Sequence, residues 1–240
     1  MLKSFTTRFN PTCDGPLHIG HLYIAYVNEY VAHSTAGKFI FRADDMQAIW
    51  RTRLSKETIE NIVADQLHDI SWAGLKPDIY ASDSNLDDEI TTRLKEYAGS
   101  LVVRDMRWVD NSAEWVGSDA VLYPYHAHLT AKKVIADEIN TVNCLIRGMD
   151  LITESSLYAY FCDLWGIPQP RQVYLPRLIT DDGEMSKTKG GHTIRYYRDA
   201  GIFPDELKQM LAKACLKDPE APWAIENVRL DPNLKYAEEK

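Results

Sequence analysis

The sequence predicts an α/β protein with an open, mostly parallel sheet, and three observations support this. Apolar runs of strand length alternate with helical stripes along most of the chain. The first unit reads strand, turn, helix, strand ("SFTTRF", a Pro- and Gly-bearing turn, "HLYIAYVNEYVAHST", "KFIFRAD"), and such a unit joins parallel neighbours by a right-handed crossover. The turn itself, "GPLHIGH", directly follows the first strand, and open α/β sheets hold their ligands at the carboxyl ends of strands.

The elements follow in order. Residues 4 to 9 alternate as a strand does, and from His21 to about Thr35 the residues Leu22, Ala25, Val27 and Val31 form a helical stripe, with Gly37 as its stop. After "KFIFRAD", Ser55 caps a helix whose apolar face is Ile59, Ile62, Val63, Leu67 and Ile70, ended by Gly74 and Pro77. "NLDDEITTRLKEYAG" reads as a short helix and "LVVR" as a strand, while residues 105 to 124 read as an irregular, Trp-rich insertion or lid. "AHLTAKKVIADEI" is a helix, "VNCLIR" a strand, and "TESSLYAYFCDLWG" a helix stopped by Gly166. "RQVYLPRLI" reads as a resumed strand, followed by the turn "TDDGEMSKTKGG" and helix to about Cys215. The expected organisation is a first catalytic half (1–81), a short insertion (82–123), a second half (124–192), and a helical segment with a polar tail (193–240).

Composition narrows the class. No apolar run reaches the ~18 residues that a membrane span needs. The opening "MLKSFTTRF" lacks an apolar signal core, so a cytoplasmic protein is expected. Cys13, Cys144, Cys162 and Cys215 lie far apart without a Cys-x-x-Cys pair, which argues for reduced thiols and against structural zinc. The net charge of −8 (27 basic against 35 acidic residues) gives no support to binding a polyanion, whose affinity comes largely from Lys and Arg on phosphates.

His18 and His21 could be read as metal ligands. Zinc on a helix prefers histidines four apart with a Glu beside the first, and this pair is three apart without one. As a phosphate site the turn makes more sense. Exposed N–H groups at a helix start attract anions, Gly20 admits close backbone approach, Pro16 stiffens the entry, and two imidazoles can donate to phosphoryl oxygens. Alone, the turn could equally carry incidental histidines. It is paired with "DDGEMSKTKGG", a Gly-rich turn in which Lys187 and Lys189 flank Ser186 as a mobile clamp for triphosphate would, or as a solvated surface loop would.

Together, His18-Ile19-Gly20-His21 and Met185-Ser186-Lys187 resemble the signature pair of class I aminoacyl-tRNA synthetases. "RFNPTCDGPLHIGH", "GKFIFRADD", "NCLIRGMDLITES" and "PQPRQVYLPRLITDDGEMSKTKGG" are similar, in order, to segments of the glutamyl and glutaminyl branch. The resemblance covers roughly residues 5 to 215, since two ordered motifs so far apart seldom coincide by chance. It implies a Rossmann-like, doubly wound catalytic core that uses ATP with Mg²⁺ to convert an amino acid to its adenylate. On that resemblance His18 and His21 are catalytic phosphate contacts and Lys187 stabilises departing pyrophosphate, with Pro16, Gly20, Met185 and Ser186 completing the ATP site. Arg8, Thr12, Asp44, Tyr125 and Arg147 match the amino-acid pocket, Asp44 standing where the branch has Glu and Thr12 where it has Ser. Two arginines there imply an acidic amino acid.

Four departures bear on function. The segment from Tyr123 to Asp137 is longer than the family's, Glu184 stands at the clamp's usual first lysine, the insertion is short, and nothing after about Lys217 reads as an anticodon-binding module. Shortened relatives that glutamylate a modified tRNA base commonly carry zinc in the insertion, and no Cys lies between Cys13 and Cys144. The expectation is therefore activation of glutamate or a similar amino acid, with transfer to a small amine, carrier protein or tRNA fragment and weak or no binding of full tRNA. A minimal glutamyl-tRNA ligase and a non-catalytic nucleotide-binding partner protein are the alternatives.

Overall fold

The computed structural model describes residues 4–97, 103–109, 112–117, 122–123, 125–180, 183–184, 192–231 and 233–236. In chain order they form β1 (Thr7–Phe9), α1 (Ile19–Ser34), β2 (Phe39–Ala43), α2 (Asp45–Thr52), α3 (Lys56–Trp72), β3 (Ile79–Ser82) and α4 (Asp83–Tyr97). β4 (Val103–Val109), β5 (Ser112–Gly117), β6 (Leu122–Tyr123), α5 (Tyr125–Ile139), β7 (Cys144–Gly148) and α6 (Ser155–Trp165) follow. The chain continues through β8 (Arg171–Leu175), β9 (Arg177–Thr180), β10 (Gly183–Glu184), α7 (Ile194–Asp199), α8 (Pro204–Cys215) and β11 (Asn233–Lys235).

The central sheet has the order β3-β2-β1-β7-β8, and every pairing in it is parallel. Its strands are covered on both faces, and side-chain alternation shows how. Phe39 and Phe41 of β2, with Cys144 and Ile146 of β7, join a core with α1, α3 and α8. Ile40 and Leu145, one residue out of phase, join a second core with α4, α5 and α6. This is the doubly wound α/β arrangement that the sequence predicts.

Local signals hold where they are complete. The Ser55 side chain accepts from Thr58 N at 3.1 Å and starts α3, and Gly166 ends α6 at φ 67°. Gly37 acts differently from the expected helix stop: Thr35 is the C-cap, and a Cβ at Gly37 would collide with the Phe5 carbonyl.

Other expectations are corrected. The stretch 105–124 is not irregular, because its described residues lie in the antiparallel sheet β4-β5-β6; a register shift between Arg104 and Met106 breaks the two-residue pattern. α2 was not foreseen; Asp44 caps it by accepting from Gln47 N at 3.3 Å. "RQVYLPRLI" is two strands: Pro176 separates β8 in the main sheet from β9 in a sheet ordered β10-β9-β11. The polar tail returns as β11, parallel to β9, because Leu234 and Tyr236 alternate into the core. No helix among the described residues is long and apolar enough to cross a membrane.

Candidate functional site

The strand order reverses between β1 and β7, and a cavity of about 650 Å³ opens there beyond their carboxyl ends. Arg8, Thr12, His18, Gly20, His21 and Asp44 are on its wall, as are Arg147 and Asp150 from the far side of the switch point. Six of the sequence-predicted residues, spread from Arg8 to Asp44, are thus brought onto one surface with Arg147. Pro16 lies in the turn that enters α1.

His18 is the N-cap of the 16-residue helix α1, whose first turn lines the cavity through His18, Gly20 and His21. The two imidazoles stack with centroids 3.7 Å apart. His21 Nδ1 accepts the His18 backbone N–H at 3.2 Å. A neutral His21 therefore carries its proton on Nε2, which is the arrangement of a hydrogen-bond donor to an anion.

The described residues on either side of Lys187 are tied into the fold. Upstream, Glu184 pairs with Ile179 of β9. Downstream, Ile19 N donates to His192 O at 3.0 Å and Ile194 N to Leu17 O at 2.9 Å, a bridge that ties Thr193 to His18. Met185, Ser186 and Lys187 themselves lie outside the described residues, as does the side chain of Tyr125, whose backbone opens α5. Lys133 of α5, unforeseen from sequence, also lines the cavity.

Three arginines beside or on the wall of the cavity share one sheet face. Arg8, Arg42 and Arg147 come from three adjacent strands, and all three are buried. Asp137 of α5 answers two of them. It accepts from Arg8 Nε at 2.8 Å and Nη2 at 3.3 Å and from Tyr158 Oη at 2.9 Å, and it forms an ion pair with Arg42 Nη1 at 2.8 Å. Burial would raise the Asp137 carboxyl, but Arg8 and Arg42 outweigh it and hold it at about 2. Arg147 has softer partners. Its Nη2 donates to Gln172 Oε1 at 2.9 Å and Tyr174 Oη at 2.7 Å, its guanidinium lies 5.7 Å from the centroid of the Tyr158 ring, and Glu154 stands 3.7 Å from Nη1.

Asp83 approaches Arg42 Nε at 3.0 Å, yet neither atom completes a hydrogen bond. Burial pushes its carboxyl up to about 7, against the pull of Arg42 and with the push of Asp44. Asp44 is likewise raised by burial, opposed by Lys133 and Arg42. Arg42, Asp137 and Tyr158 were missed in the sequence. The available signals were a charge inside the apolar strand "FIFRAD" and an acid in the apolar turn "VIAD". Among the described residues no group of three or more His, Cys, Asp or Glu stands together as metal ligands.

The comparisons agree with this geometry. A family model described as "tRNA synthetases class I (E and Q), catalytic domain" matches residues 4–114. Glutamate–tRNA ligase 1 of Rhizorhabdus wittichii is 24% identical over 283 residues, covering 91% of this chain and 62% of the relative. Glutamate–tRNA ligase 1 of Rubrobacter xylanophilus is 24% identical over 246 residues, covering 92% and 56%. The chain thus spans about six-tenths of the length of these curated relatives. A crystal structure of a glutamate tRNA ligase from Elizabethkingia meningosepticum, in complex with its amino acid, superposes with a TM-score of 0.73 over 98% of this chain and 67% of that one. At 14% identity that likeness speaks for the fold.

Proposed function

We propose that the chain carries a class I aminoacyl-tRNA synthetase catalytic core of the glutamyl and glutaminyl branch and that it activates glutamate, or a similar acidic amino acid, with ATP. The observation that carries this reading is the single cavity at the switch point. A helix N-terminus with two stacked histidines lines it together with Arg8 and Arg147. In the reaction a substrate carboxylate oxygen bonds to the α-phosphorus, the bond from that phosphorus to the bridging oxygen breaks, and pyrophosphate leaves with the electron pair. No protein nucleophile is needed, so this chain's part is positioning and charge stabilisation.

In this reading the α1 N-terminus and His21 Nε2 receive phosphoryl oxygens while Lys187 follows the departing pyrophosphate. Asp44 takes the substrate ammonium and Arg8 and Arg147 the carboxylates. Bound Mg²⁺ would supply neutralisation of phosphate charge. The acyl acceptor is proposed to be a small amine, a carrier protein or a tRNA fragment, because a chain of net charge −8 offers little to a full tRNA. A minimal glutamate–tRNA ligase is the second reading, favoured by the names of the curated relatives.

The test is amino-acid-dependent exchange of pyrophosphate into ATP, run over a panel of amino acids with and without tRNA. Glutamate-dependent exchange is expected. Preferred activation of a bulky apolar amino acid, or no exchange with any amino acid under either condition, refutes the proposal.

A further inference from the structure

Asp137 does not line the cavity. It stands behind the wall, 1% exposed, at the meeting point of three donor groups. We propose that Asp137 is the positioning residue of the amino-acid pocket, holding the inner edge of Arg8 so that the rest of the guanidinium is presented to a substrate side-chain carboxylate. The inference rests on the functional reading above and adds a residue to it.

The geometry supports this as follows. A guanidinium is a planar fork whose edges can serve different carboxylates. Asp137 takes the Nε and Nη2 edge of Arg8, which leaves Nη1 over on a residue that does line the cavity. An arginine held this way loses little further freedom when a substrate arrives, and this is where preorganisation adds affinity. The same carboxylate engages Arg42, which is fully buried and ties β2 to the layer of α4 and α5. Through Tyr158, whose hydroxyl donates to Asp137 Oδ2 and whose ring lies under Arg147, it also reaches the second cavity arginine. One carboxylate thus sets the standing of both substrate-facing arginines.

The sharing of ion pairs points the same way. Asp137 is divided between Arg8 and Arg42, whereas Arg42 also has Asp83 3.0 Å from its Nε. Arg8 thus holds a share of one carboxylate, and a substrate carboxylate completes its pairing. Asp44 at the α2 N-cap, Asp45 of α2 and Lys133 of α5 are the other charged groups around this cluster.

The test is Asp137→Asn. The amide keeps the size, but its N–H₂ group turns donors against the donors of Arg8 and Arg42. Dissociation constants for glutamate, glutamine and ATP are measured by calorimetry on the full chain, and glutamate KM and kcat by pyrophosphate exchange. The expected result is a loss of glutamate affinity of roughly tenfold or more, the scale of a charge-assisted hydrogen bond lost or misplaced. Glutamine, which lacks the charge, is expected to lose much less, and ATP affinity to stay within about twofold because Asp137 touches none of the groups read as phosphate contacts.

Equal losses for glutamate, glutamine and ATP mean a merely structural role and overturn the inference. So does unchanged or tighter glutamate binding. Tyr158→Phe removes a single hydrogen bond to Asp137 and keeps the ring under Arg147, so it serves if the asparagine variant does not fold. It is expected to lower the glutamate-over-glutamine preference by about threefold, the scale of a neutral hydrogen bond, and an unaltered preference overturns the inference. Wild-type protein that binds glutamate without turnover separates the two proposals, since the functional reading then fails while the binding arm still decides the role of Asp137. Wild-type protein that binds no glutamate sinks both.

Discussion

Replacing Asp83 with asparagine isolates the least satisfied charge beside the candidate site. Asp83 opens α4 with its carboxylate 3.0 Å from Arg42 Nε, without a completed hydrogen bond between them. Burial lifts its pKa from the ordinary 3.8 to about 7; Arg42 and Lys133 work against that rise, while Asp44 and Asp45 add to it. A carboxyl whose folded pKa is raised stabilises the fold fully below its unfolded value and loses that contribution as pH rises toward the folded one. The window is therefore 3.8 to about 7. Across about three pH units at about 1.4 kcal/mol each, ionisation of Asp83 costs the fold on the order of 4 kcal/mol.

Asparagine mimics the protonated acid and carries no such cost. Urea unfolding of both proteins at roughly pH 4 and pH 8 reads the difference, and titrating groups remote from Asp83 cancel in the comparison. The variant is expected to match wild type at the lower pH and to exceed it by several kcal/mol at the higher one. A gap of the same size at both values, or a wild type that is more stable at high pH, refutes the reasoning. The first outcome would mean that folding leaves the Asp83 pKa unshifted, and the second that Arg42 satisfies Asp83 as a full ion pair.

Lys187→Ala should slow pyrophosphate exchange by ~10²- to 10³-fold, as loss of transition-state charge stabilisation does, with amino-acid KM nearly unchanged; equal activity would make the loop a surface turn. Treatment with a zinc chelator should leave the fold and ATP binding intact if, as proposed, His18 and His21 serve phosphate; stoichiometric zinc at that pair, seen by elemental analysis, would refute this. Binding of labelled full-length tRNA should be weak and largely abolished between about 50 and 200 mM salt, as phosphate contacts predict. Tight, salt-resistant binding with charging at the 3′ end would restore the minimal ligase.

What could be read in the sequence was what a short stretch determines by itself. Ser55 needs only the N–H groups of its own first turn, and Gly166 only its own backbone torsion. The β1–α1–β2 unit and the His18–His21 turn are continuous in sequence, so their geometry follows from local pattern and crossover handedness. The misses depend on pairings between distant segments. β11 is a strand because β9 lies alongside it, and the break at Pro176 has meaning only when β8 and β9 enter different sheets.

The same distinction explains the site. Arg8 and Arg147 stand out as charges at strand ends, whereas Arg42 looks like any cation in a strand until β2, β1 and β7 are known to be neighbours. Once they are, the three side chains share one buried face, and cations there need an anion from the layer that covers it. That layer is α4, α5 and α6, where Leu94, Val134, Ile135 and Phe161 present hydrocarbon. Asp137, two residues after Ile135, supplies the carboxylate that the arrangement demands.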